Sequence, residues 1–193
     1  MAFWNRKRGR SAESETPQPA PSEQLSAAPA PTWKTIPPTD ACDIVDFWFR
    51  QAWPLTESEV TELAVAQLGW TTVEEDGESF LNNTVHALSM PDVTVIETRS
   101  GTSSIEFRAC DVLQEMDGTS EADLGDCFTL LVREAESRWG AALLERRGAW
   151  ETASWVTESR GGVELRRSRR SVSVAYATPQ RVEFDRKAAR LGL

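Results

Sequence analysis

Histidine and cysteine are the first side chains of this sequence to test for catalysis or metal binding. His86 is the only histidine, so a Ser-His or Cys-His pair would need it as the general base. No G-x-S-x-G elbow or cysteine-protease motif accompanies it, and we interpret it as a hydrogen-bonded histidine in a strand. Cys42, Cys110 and Cys127 are far apart and form no C-x-x-C pair, which is typical of buried, reduced thiols. We therefore predict no catalytic residue and no cofactor.

Carboxylates are the other candidates for chemistry, and they are dense between residues 111 and 126. Asp117, Thr119 and Glu121 alternate as the ligands of a calcium loop do, but Ala122 stands where the sharp turn requires glycine. Asp and Glu are also common in the first turn of a helix, where they face the positive end of its dipole. We interpret this segment as a solvated loop that caps a helix, and we predict no metal site.

Charge divides the chain into two unequal parts. Residues 33–132 carry 19 Asp or Glu against 4 Lys or Arg, whereas residues 133–193 carry 13 Lys or Arg against 8 Asp or Glu. The electric field of such charged segments steers encounters with partners and sets the specificity of binding. The overall pI of about 4.8 argues against a dedicated nucleic-acid-binding protein, so we predict an acidic surface that binds a basic protein partner.

Helix caps and turns explain part of the acidity, and the remainder indicates where a partner would bind. We expect contacts at an acidic turn, an acidic connection, an arginine-rich hairpin tip and two tryptophans in loop-like settings, because tryptophan is common in interface hot spots. The candidate partner-binding residues are Trp33, Trp53, Glu74, Glu75, Asp76, Glu78, Asp111, Glu115, Asp117, Arg166, Arg167, Arg169 and Arg170.

Composition separates a tail from a folded domain. Residues 11–32 contain 14 Pro, Ala or Ser out of 22, and the spacing of the prolines prevents a helix or strand from propagating. We predict a disordered tail over residues 1–32 with a basic tip, and a single domain over residues 33–193. No apolar run matches a signal peptide or a membrane span, so we expect a cytoplasmic protein.

Apolar spacing and capping residues predict the helices. The first is expected at residues 40–51. In the second, Thr56 and Glu59 form a capping box and Gly69 provides the stop. The longest helix is predicted at residues 120–139, and a short basic helix at residues 180–190.

Strands are predicted where the apolar period changes to two. A hairpin turning at Ser100-Gly101 would place Ile96 opposite Ile105, with one face in the core and the other mixed enough to be a binding surface. A charged loop follows the longest helix. The fold class is therefore α+β, with an antiparallel sheet of about six to seven strands covered by helices on one face. The predicted strands are 70–75, 82–88, 92–99, 102–109, 150–156, 163–167 and 171–177.

Tryptophans and glycines at the ends of the predicted elements carry a family resemblance. The chain resembles the actinobacterial domain of unknown function family 6301 over roughly residues 33–190. The resemblance supports the fold and implies no catalytic residues. By analogy, small acidic proteins of this kind are similar to immunity proteins or other partner-binding proteins. The matching features, in order, are Trp53-Pro54, Leu68-Gly69-Trp70 after a capped helix, Trp139-Gly140, and Trp155 followed by Gly-Gly and Val163-Glu164-Leu165.

Three functional hypotheses follow. The leading one is a non-enzymatic, immunity-like binding protein that offers an acidic surface to a basic partner. The second is a secretion-chaperone-like dimer that holds a client segment, and the third is a hydrolase with a carboxylate site. The sequence leaves the oligomeric state open, a homodimer included.

Overall fold

The computed structural model describes residues 33–114, 118–157 and 160–192. The predicted tail, residues 1–32, lies outside the described residues. The elements in chain order are α1 (Pro38–Phe49), α2 (Glu57–Leu68), β1 (Thr71–Glu75), β2 (Glu78–Asn82), β3 (Val93–Thr98), β4 (Gly101–Arg108), α3 (Gly118–Trp139), β5 (Leu143–Arg147), β6 (Trp150–Thr157), β7 (Gly161–Arg167), β8 (Val172–Ala177) and α4 (Pro179–Leu191).

Six of the strands form one antiparallel sheet in the order β3-β4-β8-β7-β6-β5. Strands β1 and β2 form a separate two-stranded sheet. The predicted α+β class and the antiparallel sheet are confirmed. Strands β3 and β5 are the two edges of the larger sheet, so each has one side without a strand partner in it.

Capping chemistry sets the ends of α2 as the sequence predicts. The Thr56 side chain accepts a hydrogen bond from the Glu59 N–H, and the Glu59 carboxylate accepts one from the Thr56 N–H at 2.8 Å. Gly69 ends the helix with a left-handed φ of 69°. These contacts satisfy backbone groups that would otherwise lack partners at the helix ends.

The strand predicted at residues 82–88 is wrong. Asp76 and Gly77, with φ of 53° and 84°, form a tight two-residue turn, so the return strand β2 begins at Glu78 and ends at Asn82. Left-handed φ at both central residues is the requirement of a hairpin turn that matches strand twist. His86 consequently lies in a turn and not in a strand.

The predicted register of the second hairpin is also wrong. Arg99 and Ser100 form the loop, and a register shift falls between Ile96 and Glu97. Val95 therefore lies opposite Ile105, while Ile96 is 47% exposed. Moving the loop by one residue changes the pairing by two positions and keeps each side chain on its face, but the bulge changes the pairing by one more position. The bulge is therefore what places Ile96 and Ile105 on opposite faces.

The segment expected to be a charged loop contains edge strand β5. All five of its side chains are exposed, so the alternation of buried and exposed positions that identifies a strand is missing. Backbone pairing with β6 defines it, with Leu144 opposite Ala153.

A chain of aromatic rings crosses the core between α1 and the large sheet. Trp48, on α1, contacts the rings of Trp53 and Trp70 with centroids 6.2 and 6.4 Å away. Trp48 and Trp70 are 0% and 2% exposed. Aromatic pairs in tilted or edge-on arrangements stabilise a core beyond their buried area. The contacts run in the order Phe107, Trp70, Trp48, Trp53, Tyr176, Phe49, Trp139 and Trp155.

Helices α1 and α3 pack together against one face of the large sheet. Helix α4 lies against the opposite face, where the Cγ2 of Val182 is 3.3 Å from the position that a Cβ on Gly162 would occupy. Gly161 has φ of 102°, and a Cβ there would lie 2.2 Å from the Ala177 carbonyl oxygen. Only glycine fits at that point of close backbone approach.

An ion-pair network joins α1 to α3. The Arg138 guanidinium donates hydrogen bonds to Asp46 at 2.9 Å and to Glu134 at 2.8 Å, and it also reaches Asp43. Asp46 accepts a further hydrogen bond from the Trp139 ring at 2.9 Å. These carboxylates raise the pKa of Arg138, against the opposing effect of burial, so the guanidinium stays charged.

We expect Arg138→Met to lower the free energy of unfolding by about 2 kcal/mol, because it leaves three neighbouring carboxylates without their shared cation. Urea unfolding at neutral pH measures this. Arg181→Met is the matched control, since it removes an exposed pair with Asp185 four residues along α4 that is worth only about 0.3–0.5 kcal/mol. Equal losses in the two variants would contradict the prediction.

Candidate functional site

A groove of about 1030 Å³ opens between the two sheets, beside α2. Strands β2 and β3 are joined by an antiparallel bridge between Asn82 and Asp92, and the groove extends along both strands from that bridge. Residues of α2 form a further wall. The capping box at Thr56 and Glu59 positions this wall, because it fixes where α2 begins.

The groove is acidic. Five carboxylates and no Lys, Arg or His are among the residues that line it. Glu75 and Glu78 lie directly opposite each other in the β1–β2 pair, an arrangement that destabilises a hairpin. Asp92 lies 3.7 Å from Arg108. The five are Glu57, Glu62, Glu75, Glu78 and Asp92.

Backbone edges and apolar side chains accompany these charges. β3 is an edge of the large sheet, and β2 pairs with β1 on one side. An edge strand presents N–H and C=O groups that an added strand could pair with. Val73 and Phe80 also line the groove and are 46% and 44% exposed. The groove thus combines negative charge, apolar contact surface and unpaired backbone.

The predicted acidic turn contributes half of its residues to the groove. Glu75 and Glu78 line it, whereas Glu74 and Asp76 are exposed on the same hairpin but are not among the lining residues. Glu74 lies opposite Ser79, one position from the Glu75–Glu78 pair.

Asp111, predicted as a partner contact, holds local structure together. Its carboxylate accepts hydrogen bonds from the Ser89 N–H at 2.6 Å and the Lys34 N–H at 3.0 Å. Burial alone would raise the pKa of Asp111, but these hydrogen bonds and the nearby Lys34 charge lower it overall. Glu115 and Asp117, predicted beside it, lie outside the described residues.

The two tryptophans predicted as partner contacts are half-buried and packed against the core. The Trp33 ring donates a hydrogen bond to the Asp111 carbonyl at 3.1 Å, and the Trp53 ring donates one to the Trp48 carbonyl at 3.1 Å. Trp53 also stacks beside Tyr176, with ring centroids 5.5 Å apart. Both rings therefore already have polar and apolar partners within the fold.

The four arginines between residues 166 and 170 do not form one surface. Arg166 pairs with Glu164 at 2.9 Å, and Arg167 pairs with Glu151 at 2.8 Å. Arg170 donates to the Leu113 carbonyl at 2.6 Å. Arg169 is exposed and makes no ion pair with another described residue. Alternation along β7 places Arg166 and Arg167 on opposite faces of the sheet.

His86 is held by two side chains. Its Nε2 lies 3.2 Å from the Asp40 carboxylate, and its Nδ1 lies 3.4 Å from the Asn83 side-chain oxygen.

The cysteines are buried. Burial raises the pKa of Cys42 to about 12. A hydrogen bond to Cys110, together with burial, raises the pKa of Cys127 as well. High pKa values disfavour the thiolate, which is the nucleophilic form of cysteine.

Metal ligands are not brought together in the part of the chain that the structure describes, where no group of three or more His, Cys, Asp or Glu could hold an ion. The calcium-loop segment is described only in part, because residues 115–117 are outside the described ranges.

Sequence reasoning missed three of the five groove carboxylates and the exposed apolar residues Val73 and Phe80. In the sequence, Glu57 and Glu62 are explained by their position in the first turns of a predicted helix, and Asp92 begins a predicted strand. Val73 and Glu75 lie two residues apart in a predicted strand, so the sequence already places them on one face, and this was a usable signal. The convergence of α2, β2 and β3 had no counterpart in the sequence.

Comparison with known proteins adds one match. A family model described as "Family of unknown function (DUF6301)" matches residues 39–178. No curated protein and no solved structure matches. Among the described residues, no helix is both long and apolar enough to cross a membrane.

We expect Asp111→Asn to lower the free energy of unfolding by about 1 kcal/mol at neutral pH, since it weakens two backbone hydrogen bonds at a partly solvated site. A carboxylate with a lowered folded pKa stabilises the fold above its unfolded pKa, and this stabilisation is lost as pH falls through the folded pKa. Urea unfolding at a series of pH values should therefore show the wild type and variant converging in acid. Asp126→Asn, an exposed position on α3, is the control. A difference that does not change with pH would contradict the assignment.

Proposed function

The chain belongs to the DUF6301 family, whose function is unknown, and we propose that it is a non-enzymatic protein that binds a basic, extended segment of a partner protein. The acidic groove between α2, β2 and β3 is the observation that carries this proposal. Immunity-like neutralisation of a basic partner is the biological setting that fits such a groove.

Charge distribution supports the proposal. Arg138, in the basic segment 133–193, forms ion pairs with Asp43 and Asp46 of the acidic segment 33–132. Six further cations of the basic segment pair with carboxylates of that same segment: Arg146, Arg147, Arg166, Arg167, Arg181 and Lys187. The groove carboxylates therefore keep a negative field that a partner's cations can meet.

Strand geometry supports an extended ligand. A segment that pairs with the free edge of β3 would add a strand to the large sheet. Its side chains would alternate between the two faces of the added strand. Val73, Phe80, Glu75 and Glu78 share one face of the β1–β2 hairpin. Basic side chains of the segment could reach the carboxylates, while its apolar side chains could pack on Val73 and Phe80. We therefore propose a ligand that carries both basic and apolar residues.

A synthetic peptide of about ten residues with alternating arginine and valine tests this proposal. Fluorescence anisotropy should show binding at low salt that weakens at high salt, because exposed charges are screened. We expect Glu75→Lys with Glu78→Lys to weaken binding at least about tenfold, since like charges then oppose the peptide.

Glu74→Lys with Asp126→Lys is the matched control, because it changes net charge equally outside the groove lining. A peptide with proline at alternate positions tests backbone pairing, and an alternating glutamate and valine peptide tests charge. Equal binding of the basic and acidic peptides, or equal effects of the two double variants, would overturn the proposal.

A second candidate is a secretion-chaperone-like dimer that holds a client segment. The sheet face opposite α1 and α3 favours it, because that face carries exposed apolar side chains, including Ile96 and Val156 at 47% and 65% exposure. Light scattering that shows only monomer would count against this candidate.

A further inference from the structure

The sheet face opposite α1 and α3, called the open face here, carries two rows of charge. Strands β4 and β7 each contain Glu-x-Arg, with Glu106 and Arg108 on β4 and Glu164 and Arg166 on β7. These four side chains are adjacent in sequence to Phe107 and Leu165, which are buried on the other face of the sheet. Because successive side chains of a strand point to opposite faces, the four charged side chains point to the open face.

Register aligns the two motifs. β8 lies between β4 and β7. Glu106 and Glu164 both lie opposite Ala175, so they form an acidic row across the sheet. Arg108 and Arg166 both lie opposite Ser173 and form a parallel basic row two residues further along the strands.

Small residues separate the charges. Ser173, Ala175 and Ala177 of β8 face the same side, and Ser104 and Gly162 flank Ala177. Side chains this short allow another surface to approach the middle of the sheet closely. Helix α4 covers the Gly162 end of the face, and Glu106, Glu164 and Arg166 line, together with α4, a groove of about 560 Å³ between the helix and the sheet.

The rim of the open face carries exposed apolar side chains beside the Glu145–Arg147 ion pair of β5. Exposed fractions are 47% for Ile96, 63% for Leu143, 50% for Trp150 and 65% for Val156. These residues lie on β3, β5 and β6, around the charged rows. Exposed apolar side chains grouped on neighbouring strands, as on β5 and β6, are typical of an interaction surface.

The charges of the rows are only partly neutralised within one chain. Arg166 pairs with Glu164, and Arg108 lies 3.7 Å from Asp92. The Glu106 carboxylate forms no ion pair with any described residue. Arg108, Glu164 and Arg166 keep 32%, 38% and 40% of their side chains exposed.

We propose that the open face packs against the open face of a second copy of this chain, about a two-fold axis that lies between the sheets and perpendicular to the strands. Such an axis, placed between the acidic and basic rows, reverses the strand direction and keeps each strand over its own copy. Glu106 then faces the partner's Arg108, and Glu164 faces the partner's Arg166. The same two-fold rotation therefore pairs each acidic row with the basic row of the other copy, as an isologous interface requires.

The area of the open face is that of a small dimer interface. Six strands about 4.8 Å apart and about 20 Å long cover roughly 600 Å² before side-chain relief is counted, the end covered by α4 included. Standard interfaces bury about 800 Å² per partner. The proposal does not rest on the acidic groove, because Glu106, Arg108, Glu164 and Arg166 are not among the groove residues.

Sedimentation velocity of the full chain over a dilution series tests the proposal. The wild type should be a dimer. Glu106→Arg with Glu164→Arg makes both rows basic, and Arg108→Glu with Arg166→Glu makes both acidic. Each double variant should dissociate at least about a hundredfold more readily, because like charges then face each other.

Two further experiments distinguish the loss of the interface from damage to the fold. The all-basic and all-acidic variants, mixed in equal amounts, should form a heterodimer. The quadruple variant that exchanges both rows keeps the complementarity and should recover the homodimer. Circular dichroism confirms folding, and Arg169→Glu with Arg146→Glu, outside the open face, is the control for net charge.

A monomeric wild type would overturn the proposal. So would a dimer that resists both double variants, a dimer lost equally in the control, or double variants that remain monomeric when mixed although each is folded. A dimer sensitive to groove variants instead of these would place the interface at the groove.

Discussion

Burial of a continuous chain of aromatic rings is the constraint on which the rest of this structure depends. Trp48 lies in its middle and links α1 to Trp70, which begins the segment leading into β1. Trp70 in turn contacts Phe107 on β4. These contacts hold the small β1–β2 sheet beside the edge of the large one. The acidic groove exists because two sheets that share this core remain unpaired along most of their facing edges.

Charge acts at two levels in this protein. At the level of secondary structure, Thr56 and Glu59 cap α2, and Arg138 joins α1 to α3 through a shared set of carboxylates. At the level of the surface, Glu75 and Glu78 face each other at a cost to the hairpin. The first kind stabilises the fold, whereas the second has no local structural benefit, which is why the groove is the candidate site.

Tertiary contacts also redistribute residues that the sequence presents as a group. Arg166 lies on the open face, while Arg167 turns to Glu151 and Arg170 to the Leu113 carbonyl. An apparent basic tip therefore becomes three separate interactions. The tryptophans chosen as contacts behave similarly, because their ring N–H groups find carbonyl partners inside the domain.

The amino-acid sequence by itself determined the helices, most of the strands and the α+β class, because caps, stops and apolar periods act over a few neighbouring residues. Only the tertiary structure decided the register at Ile96, the edge strand at Leu143–Arg147 and the groove. A bulge, an edge without buried side chains and a gap between sheets each depend on pairing between residues distant in the chain, and local composition carries no record of that pairing. The charge imbalance was visible from the sequence, but its location on a groove and on two opposed rows came from the register of the strands.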